Sequence, residues 1–221
     1  NEKNLGIKIR FKEQDSPRGL PDAFIIGEKF IDNSNVALIL GDNFFYGQNL
    51  SKLLRDSANL KQGAKIILHS VKNPELFGVA KINEKNKKIL KIVEKPKKLI
   101  SNYAVTGLYF FDKRVVEFAK KLKPSKRGEL EIIDLINQYK KINKLSAEVI
   151  GRGGAWLDTG SISDYYKTSA FVQAVENRQG FKIACLEEIA LLNGWINKKN
   201  IMEAIKFYGN CEYSSYLKKL I

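Results

Sequence analysis

Histidine occurs once in this sequence, at His69, and cysteine only twice, at Cys185 and Cys211. Neither cysteine has a second ligand at metal-binding spacing, which argues against structural zinc and against a disulfide-built scaffold. Long apolar runs are also missing, since none approaches the roughly 18 to 20 residues that span a bilayer. The opening NEKNLGIKIRF lacks the apolar stretch of a signal peptide, so the expectation is a cytoplasmic chain with no membrane partner. Arginine is scarce within a basic composition, contributing 7 of 38 basic residues at a formal net charge of +14. It is the residue suited to phosphate forks and base edges, and the lysines are spread over every segment. The charge therefore suits a solvated lysine-rich surface, or a general pull on anionic nucleotides, better than nucleic acid. Internal repeats and low-complexity linkers are absent.

What remains is a globular composition, 44% hydrophobic over 221 residues, enough for one α/β domain or a domain with a small appendage. GIKIRFKEQ (6–14) alternates like a strand, and PDAFIIGEKFI (21–31) reads as a helix with Pro21 at its first position. Apolar runs at VALIL (36–40) and AKIILHSV (64–71) flank helical spacing in NLSKLLRDSANL (49–60), which implies parallel crossovers. FGVAKI and ILKIVEK flank a polar turn as in a hairpin, and NYAVTGLYFFD is an aromatic, β-branched strand ending on Asp112, a plausible helix cap. ELEIIDLINQYKK has the apolar spacing of a core-facing helix, while LSAEVI and AWLD are short strands. SISDYYKTSAFVQAVENRQG is a helix opened by Ser161 or Ser163 and closed by Gly180. The organisation expected is an α/β domain over 1–180 with a helical extension over 181–221 in the same structural unit.

Candidate chemistry lies where strands end. VALILGDNFFYG places Asp42 just past a continuous apolar run, where sheets of this kind build ligand sites, although a helix cap uses the same residue. Asp158, in GRGGAWLDTGS, follows a short apolar strand and sits between glycines, and it too is a candidate metal carboxylate or a cap. IVEKP ends a strand with adjacent Glu94 and Lys95, and the lysine there can hold a phosphate or simply be part of a lysine-rich surface. FKEQDSPRGLPDA is a Gly/Pro-punctuated loop that could wrap a nucleobase or be an ordinary turn.

Taken in order, EQDSPRGLPDAFIIGEKFI, LILGDNFFYGQNL, FGVAKI, VEKP, SNYAVTGLYFFD, KPSKRGELEIIDLI, GRGGAWLDTGS and RQGFKIACLEEIA resemble the sugar-1-phosphate nucleotidylyltransferases over essentially the whole chain. The resemblance implies a three-layer, mostly parallel, Rossmann-like α/β sheet, and transfer of a thymidylyl group from dTTP to glucose-1-phosphate with release of pyrophosphate. It implies Mg²⁺ held by Asp42 and Asp158, with Gln14 and Gly19 at the base, Lys95 at the sugar phosphate and Glu94 at the sugar hydroxyls. Gly78 and Val105 would contact the sugar through backbone groups and Tyr46 would line its pocket, whereas Trp156 would pack behind Asp158. A regulatory nucleotide site at a subunit contact would involve Arg152, Glu188 and Ile189, and the assembly would be a homo-tetramer or dimer. Uridylyl or other sugar nucleotidyl transfer, and a catalytically silent regulatory module, are the alternatives.

One departure bears on all of this. The family opens with a strand and a loop of the form Gly-Gly-x-Gly-Thr-Arg-Leu, followed by a phosphate-contacting lysine, and these residues contain neither. They begin at about the family's third strand, so the expectation is a fragment or a shortened protein without the backbone cradle for the triphosphate.

Overall fold

The computed structural model describes residues 5–221. Two compact units divide the chain, Lys12–Asp164 and Tyr165–Ile221 with the residues up to Phe11. The division falls inside the helix Ile162–Gln179, ahead of the limit at residue 180 that the tail's helical composition suggests.

In the larger unit the strands are β1 (Val36–Ile39), β2 (Asn43–Gly47), β3 (Ala64–Ser70), β4 (Gly78–Ile82), β5 (Ile89–Glu94), β6 (Tyr103–Phe111), β7 (Leu145–Val149) and β8 (Gly154–Asp158). Its helices are α1 (Asp22–Ile26), α2 (Glu28–Ile31), α3 (Leu50–Ala58), α4 (Val115–Lys120) and α5 (Ile132–Lys141), before α6 (Ile162–Gln179). β6 is apolar but for Thr106 and every residue but Tyr103 is buried, as suits a strand covered on both faces. Alternation along it separates two layers of core. Val105, Tyr109 and Phe111 pack with Phe24, Val115, Ile133, Ile136 and Tyr139 under α1, α4 and α5. Ala104, Leu108 and Phe110 face the other way, toward Leu53, Leu54, Ile150 and Trp156 under α3 and β8. Three layers and an α/β sheet result, as the sequence pattern predicts.

Strand order refines that expectation. β6 is antiparallel to β1, β3 and β4, β5 is antiparallel to β4, and β3 and β7 are parallel. β1, β3, β4 and β7 therefore share one direction, yet the sheet is mixed because β6 lies between β1 and β3 and runs against both. Two strands occupy one edge of β6 end to end. β1 covers Leu108–Phe111, the Leu40 N–H adds a bond to the Gly107 carbonyl at 2.9 Å, and β4 joins at Ala104. Val105 and Thr106 lie in the gap between them. β2 and β8 form a separate antiparallel pair that sets Asn43 opposite Asp158.

Two local expectations need correction. Residues 6–14 form no strand; Ile7 and Phe11 are exposed, so the alternation there has no core face to bury. Residues 21–31 form the two short helices α1 and α2, broken at Gly27, with Pro21 as the residue before α1. Elsewhere Ser161 opens α6, its hydroxyl accepting from the Asp164 N–H at 3.1 Å, and Gly180 follows at φ +74°.

The smaller unit holds α7 (Leu186–Leu192), α8 (Lys198–Tyr208) and α9 (Glu212–Leu217) around Cys185, Ala190, Ile196, Ile201 and Leu217. Glu187 is buried and accepts hydrogen bonds from the Tyr208 and Tyr213 hydroxyls, while both cysteines are free. Among the described residues no helix is long and apolar enough to cross a membrane.

Asp112 closes β6 as a buried anchor. Its carboxylate accepts from the Gly63 N–H at 2.6 Å, the Tyr139 hydroxyl at 3.0 Å, and the backbone and guanidinium of Arg114. Burial pushes its pKa up, but these bonds outweigh burial and hold it below the ordinary aspartate range. Its contribution to stability is thus present above the unfolded aspartate pKa and fades as pH falls through the lower folded value. Asp112→Asn should cost about 3 kcal/mol, because it leaves Arg114 without its partner, and should flatten the acid limb of stability. Chemical denaturation of wild type and variant across that pH range checks both.

Candidate active site

Both strand-end carboxylates lie at the rim of the β2–β8 pair. Asp42 is exposed and Asp158 half-buried. The Thr159 backbone N–H and hydroxyl donate to the Asp42 carbonyl at 2.8 and 2.7 Å, pinning the two segments together. Their convergence shows at Gly160, where a Cβ would sit 3.0 Å from Asp158 Oδ1 and 3.7 Å from Asp42 Oδ2. Asp158 Oδ1 accepts from the Gly160 N–H at 2.8 Å, and with only a hydrogen on the Gly160 Cα the two carboxylates flank one opening. Among the described residues no third His, Cys, Asp or Glu joins them. That donor set fits a hard divalent cation of the Mg²⁺ type, which takes one or two carboxylates and completes its shell with water and phosphate oxygens. Neither carboxylate caps the helix that follows it: α3, after Asp42, starts behind Asn49 with no side-chain cap, and α6, after Asp158, is capped by Ser161.

Across the gap in β6 a second cluster forms where β5 ends. Gly78 pairs with Glu94, and a Cβ there would come within 3.1 Å of Glu94 Oε2, so glycine admits the carboxylate. Burial raises the Glu94 pKa, Lys95 and Arg127 pull it down, and Glu131 pushes it up. Lys95 is exposed and holds φ at +39°, a region that L side chains rarely adopt. Its N–H donates to the Phe77 carbonyl at 3.1 Å. Val105 points into the core, so only its backbone is offered at the gap. Arg127 and Glu131, joined by a bidentate pair at 2.9 and 2.8 Å, are members of this cluster that sequence reasoning missed. Their i,i+4 spacing ahead of α5 is the signal that could have found them.

The loop before α1 closes on itself. Gln14 Nε2 donates to Asp22 Oδ2 at 2.8 Å and to the Gly19 carbonyl at 3.3 Å, and Arg18 pairs with Asp22. Among the described residues these bonds leave Gln14 Oε1 as the open acceptor of the amide. Gly19 has a local reason to be glycine, since φ is +96° and a Cβ would collide with the Leu130 carbonyl at 2.1 Å. Tyr46 is found with Arg152, Gln48 and Leu53 around a cavity of about 430 Å³ beneath the β2–β8 pair. Glu188 and Ile189 belong to α7, where Glu188 accepts from the Tyr216 hydroxyl at 2.7 Å and Ile189 is exposed. Trp156 is buried beside Ile67 and Phe77.

The sequence profile described as Nucleotidyl transferase matches residues 1–175. The chain belongs to this nucleotidyl transferase family. It is 50% identical over 218 residues to the glucose-1-phosphate thymidylyltransferase of Neisseria meningitidis serogroup A, a match covering 99% of the chain and 75% of that protein. The Mycobacterium tuberculosis H37Rv protein of the same name is 40% identical, with the same coverage. Among solved structures, a Bacillus anthracis protein assigned as a glucose-1-phosphate thymidylyltransferase and crystallised with sucrose superposes with a TM-score of 0.68 at 39% identity. That likeness covers 76% of this chain and 67% of the other. A UDP-glucose pyrophosphorylase bound to UDP-glucose shares the fold, with a TM-score of 0.67 at 23% identity over 78% and 67% of the two chains.

Backbone strain at Lys95 generates a test of whether that position is kept for its side chain. A left-handed lysine costs on the order of 1 kcal/mol relative to a glycine in the same place. Lys95→Gly should accordingly raise the unfolding free energy by about that amount while removing the ammonium from the cluster. Equal or lower stability in the variant, read by urea denaturation, would show that contacts of the lysine itself repay the strain.

Proposed function

We propose that the chain catalyses transfer of a thymidylyl group from dTTP to glucose-1-phosphate, yielding dTDP-glucose and pyrophosphate. The observation that carries this reading is the opening at Gly160 shared by Asp42 and Asp158, on one side of a strand gap whose other side holds Glu94 and Lys95. A cation-holding carboxylate pair opposite a cationic phosphate partner is what in-line phosphoryl transfer requires, since positioning and charge neutralisation dominate that chemistry. Identity of 50% to a thymidylyltransferase supports the choice of base and sugar.

In this reading Gln14 Oε1 accepts from the imide N–H of thymine, because the amide nitrogen is already committed to Asp22 and Gly19. Lys95 holds the phosphate of glucose-1-phosphate, with Arg127 beside it. The Glu94 carboxylate accepts from sugar hydroxyls, and the backbone at Gly78 and Val105 borders the ring. A phosphate oxygen of the sugar substrate attacks the α-phosphorus, the new P–O bond forms as the bond to the β-phosphate oxygen breaks, and pyrophosphate leaves. Asp42 and Asp158 would hold Mg²⁺, whose contribution is to neutralise charge on the phosphate oxygens. A cytoplasmic location and a homo-tetrameric or dimeric assembly accompany this assignment.

Pyrophosphate release from dTTP and glucose-1-phosphate by the natural protein, followed with a coupled enzyme, is the direct test, and no release would overturn the assignment. In the same assay Asp42→Asn and Asp158→Asn should each lower the rate roughly 100-fold or more with the fold intact by circular dichroism, as loss of several kcal/mol of charge stabilisation demands. Near-normal rates at saturating Mg²⁺ would remove either residue from the cation site.

Glu94 gives the reading a pH signature. Its carboxylate must be ionised to accept sugar hydroxyls, and its folded pKa is raised, first by burial. The kcat/KM for glucose-1-phosphate should therefore fall with decreasing pH while still above the range in which an ordinary glutamate titrates. Glu94→Gln should be slower yet lack this limb. An unchanged pH profile in the variant would assign the limb to another group.

A further inference from the structure

Asn43 stands between the carboxylate pair and the central strand, and no role for it follows from the chemistry above. Its side chain makes three hydrogen bonds. Oδ1 accepts from the Trp156 indole N–H at 2.6 Å and from the Gly107 N–H at 3.2 Å, and Nδ2 donates to Asp42 Oδ1 at 2.8 Å. The two donors on one side settle which way the amide faces, because an indole N–H and a backbone N–H can only be met by the oxygen. The NH₂ is consequently aimed at Asp42. A second, independent feature concerns the partner strand. Gly107 lies inside β6, where glycine weakens a strand and commonly marks a close backbone approach. A Cβ at Gly107 would lie 2.8 Å from both Cγ and Oδ1 of Asn43. β6 gives up a side chain at the one position where Asn43 must enter.

We propose that Asn43 is a positioning residue that orients the Asp42 carboxylate for its cation. By occupying Asp42 Oδ1, the amide leaves Oδ2 as the oxygen turned toward Gly160 and Asp158. Trp156 and Gly107 hold the amide in turn, so the rotamer of an exposed carboxylate is referred back to two rigid elements, β8 and β6. An exposed aspartate would otherwise sample several rotamers, and a cation would have to select the productive one. The amide is also a neutral donor, which orients the carboxylate without neutralising it. Outer-sphere partners of metal-binding groups typically contribute about 10- to 100-fold in metal affinity. This inference rests on the reading of Asp42 and Asp158 as the cation pair.

The experiment measures Mn²⁺ binding to the natural protein by electron paramagnetic resonance, with thermal unfolding followed in parallel. Asp42→Asn is the reference, Asn43→Ala removes the positioning amide, and Trp156→Phe removes one of the donors that hold it. Asn43→Ala should raise the Mn²⁺ dissociation constant about tenfold, and Trp156→Phe should raise it by a smaller factor. If Asp42→Asn abolishes binding but a folded Asn43→Ala protein binds Mn²⁺ as wild type does, Asn43 only clamps β2–β8 to the sheet and the positioning role is overturned. Should Asn43→Ala fail to fold, an unchanged Mn²⁺ affinity in Trp156→Phe overturns it equally. Unaltered Mn²⁺ binding by Asp42→Asn would instead overturn the cation reading itself, and this inference with it.

Discussion

The strand Tyr103–Phe111 is the constraint on which the rest of the larger unit depends. It is buried on both faces and flanked on both edges, so each residue must satisfy a core layer and a neighbour at once. Its length exceeds that of any single partner on its outer edge, and the shortfall is met by β1 and β4 abutting along it. A stretch of backbone is thereby left uncovered in the middle of the sheet rather than at its rim. Polar groups cannot be left dry in such a place, and at its border the Gly107 N–H finds the Asn43 amide oxygen.

Each side of that opening has its own electrostatic character. Acidic oxygens flank Gly160 from the turn after β1 and the end of β8. Opposing them, two carboxylates, Glu94 and Glu131, mix with two cations, Lys95 and Arg127, whose charges pull both carboxyl pKa values down against burial. The high net positive charge of the chain lies elsewhere, on dispersed lysines, and provides a diffuse attraction for phosphates rather than the contacts themselves.

Much of this was legible before any coordinates. Asp42 and Asp158 could be picked out because a continuous apolar run ending in a polar turn locates a strand's end, and a strand's end is where an α/β sheet presents chemistry. Local periodicity says nothing about which strands become neighbours, so the insertion of β6 between β1 and β3 was not visible in the spacing. Alternation in 6–14 satisfied a necessary condition for a strand but not the sufficient one, a partner and a face to bury. Asn43 and Gly107 escaped notice because each is unremarkable alone, and only the approach of residues far apart in sequence gives them meaning. Gly19 was open to a ligand reading from sequence, and the Leu130 carbonyl supplies a steric reason that only the folded loop reveals.

End-to-end abutment of β1 and β4 has an evolutionary corollary. The hairpin β4–β5 brings Gly78, Glu94 and Lys95 as one cassette, attached to the sheet through a single register pair, Val79 with Ala104. The carboxylate half arrives on different strands and is braced independently, through Asn43 and Thr159. Drift in the hairpin can then reshape its own half of the opening without disturbing the acidic half. A fold arranged this way can vary one half of the opening while keeping the other fixed.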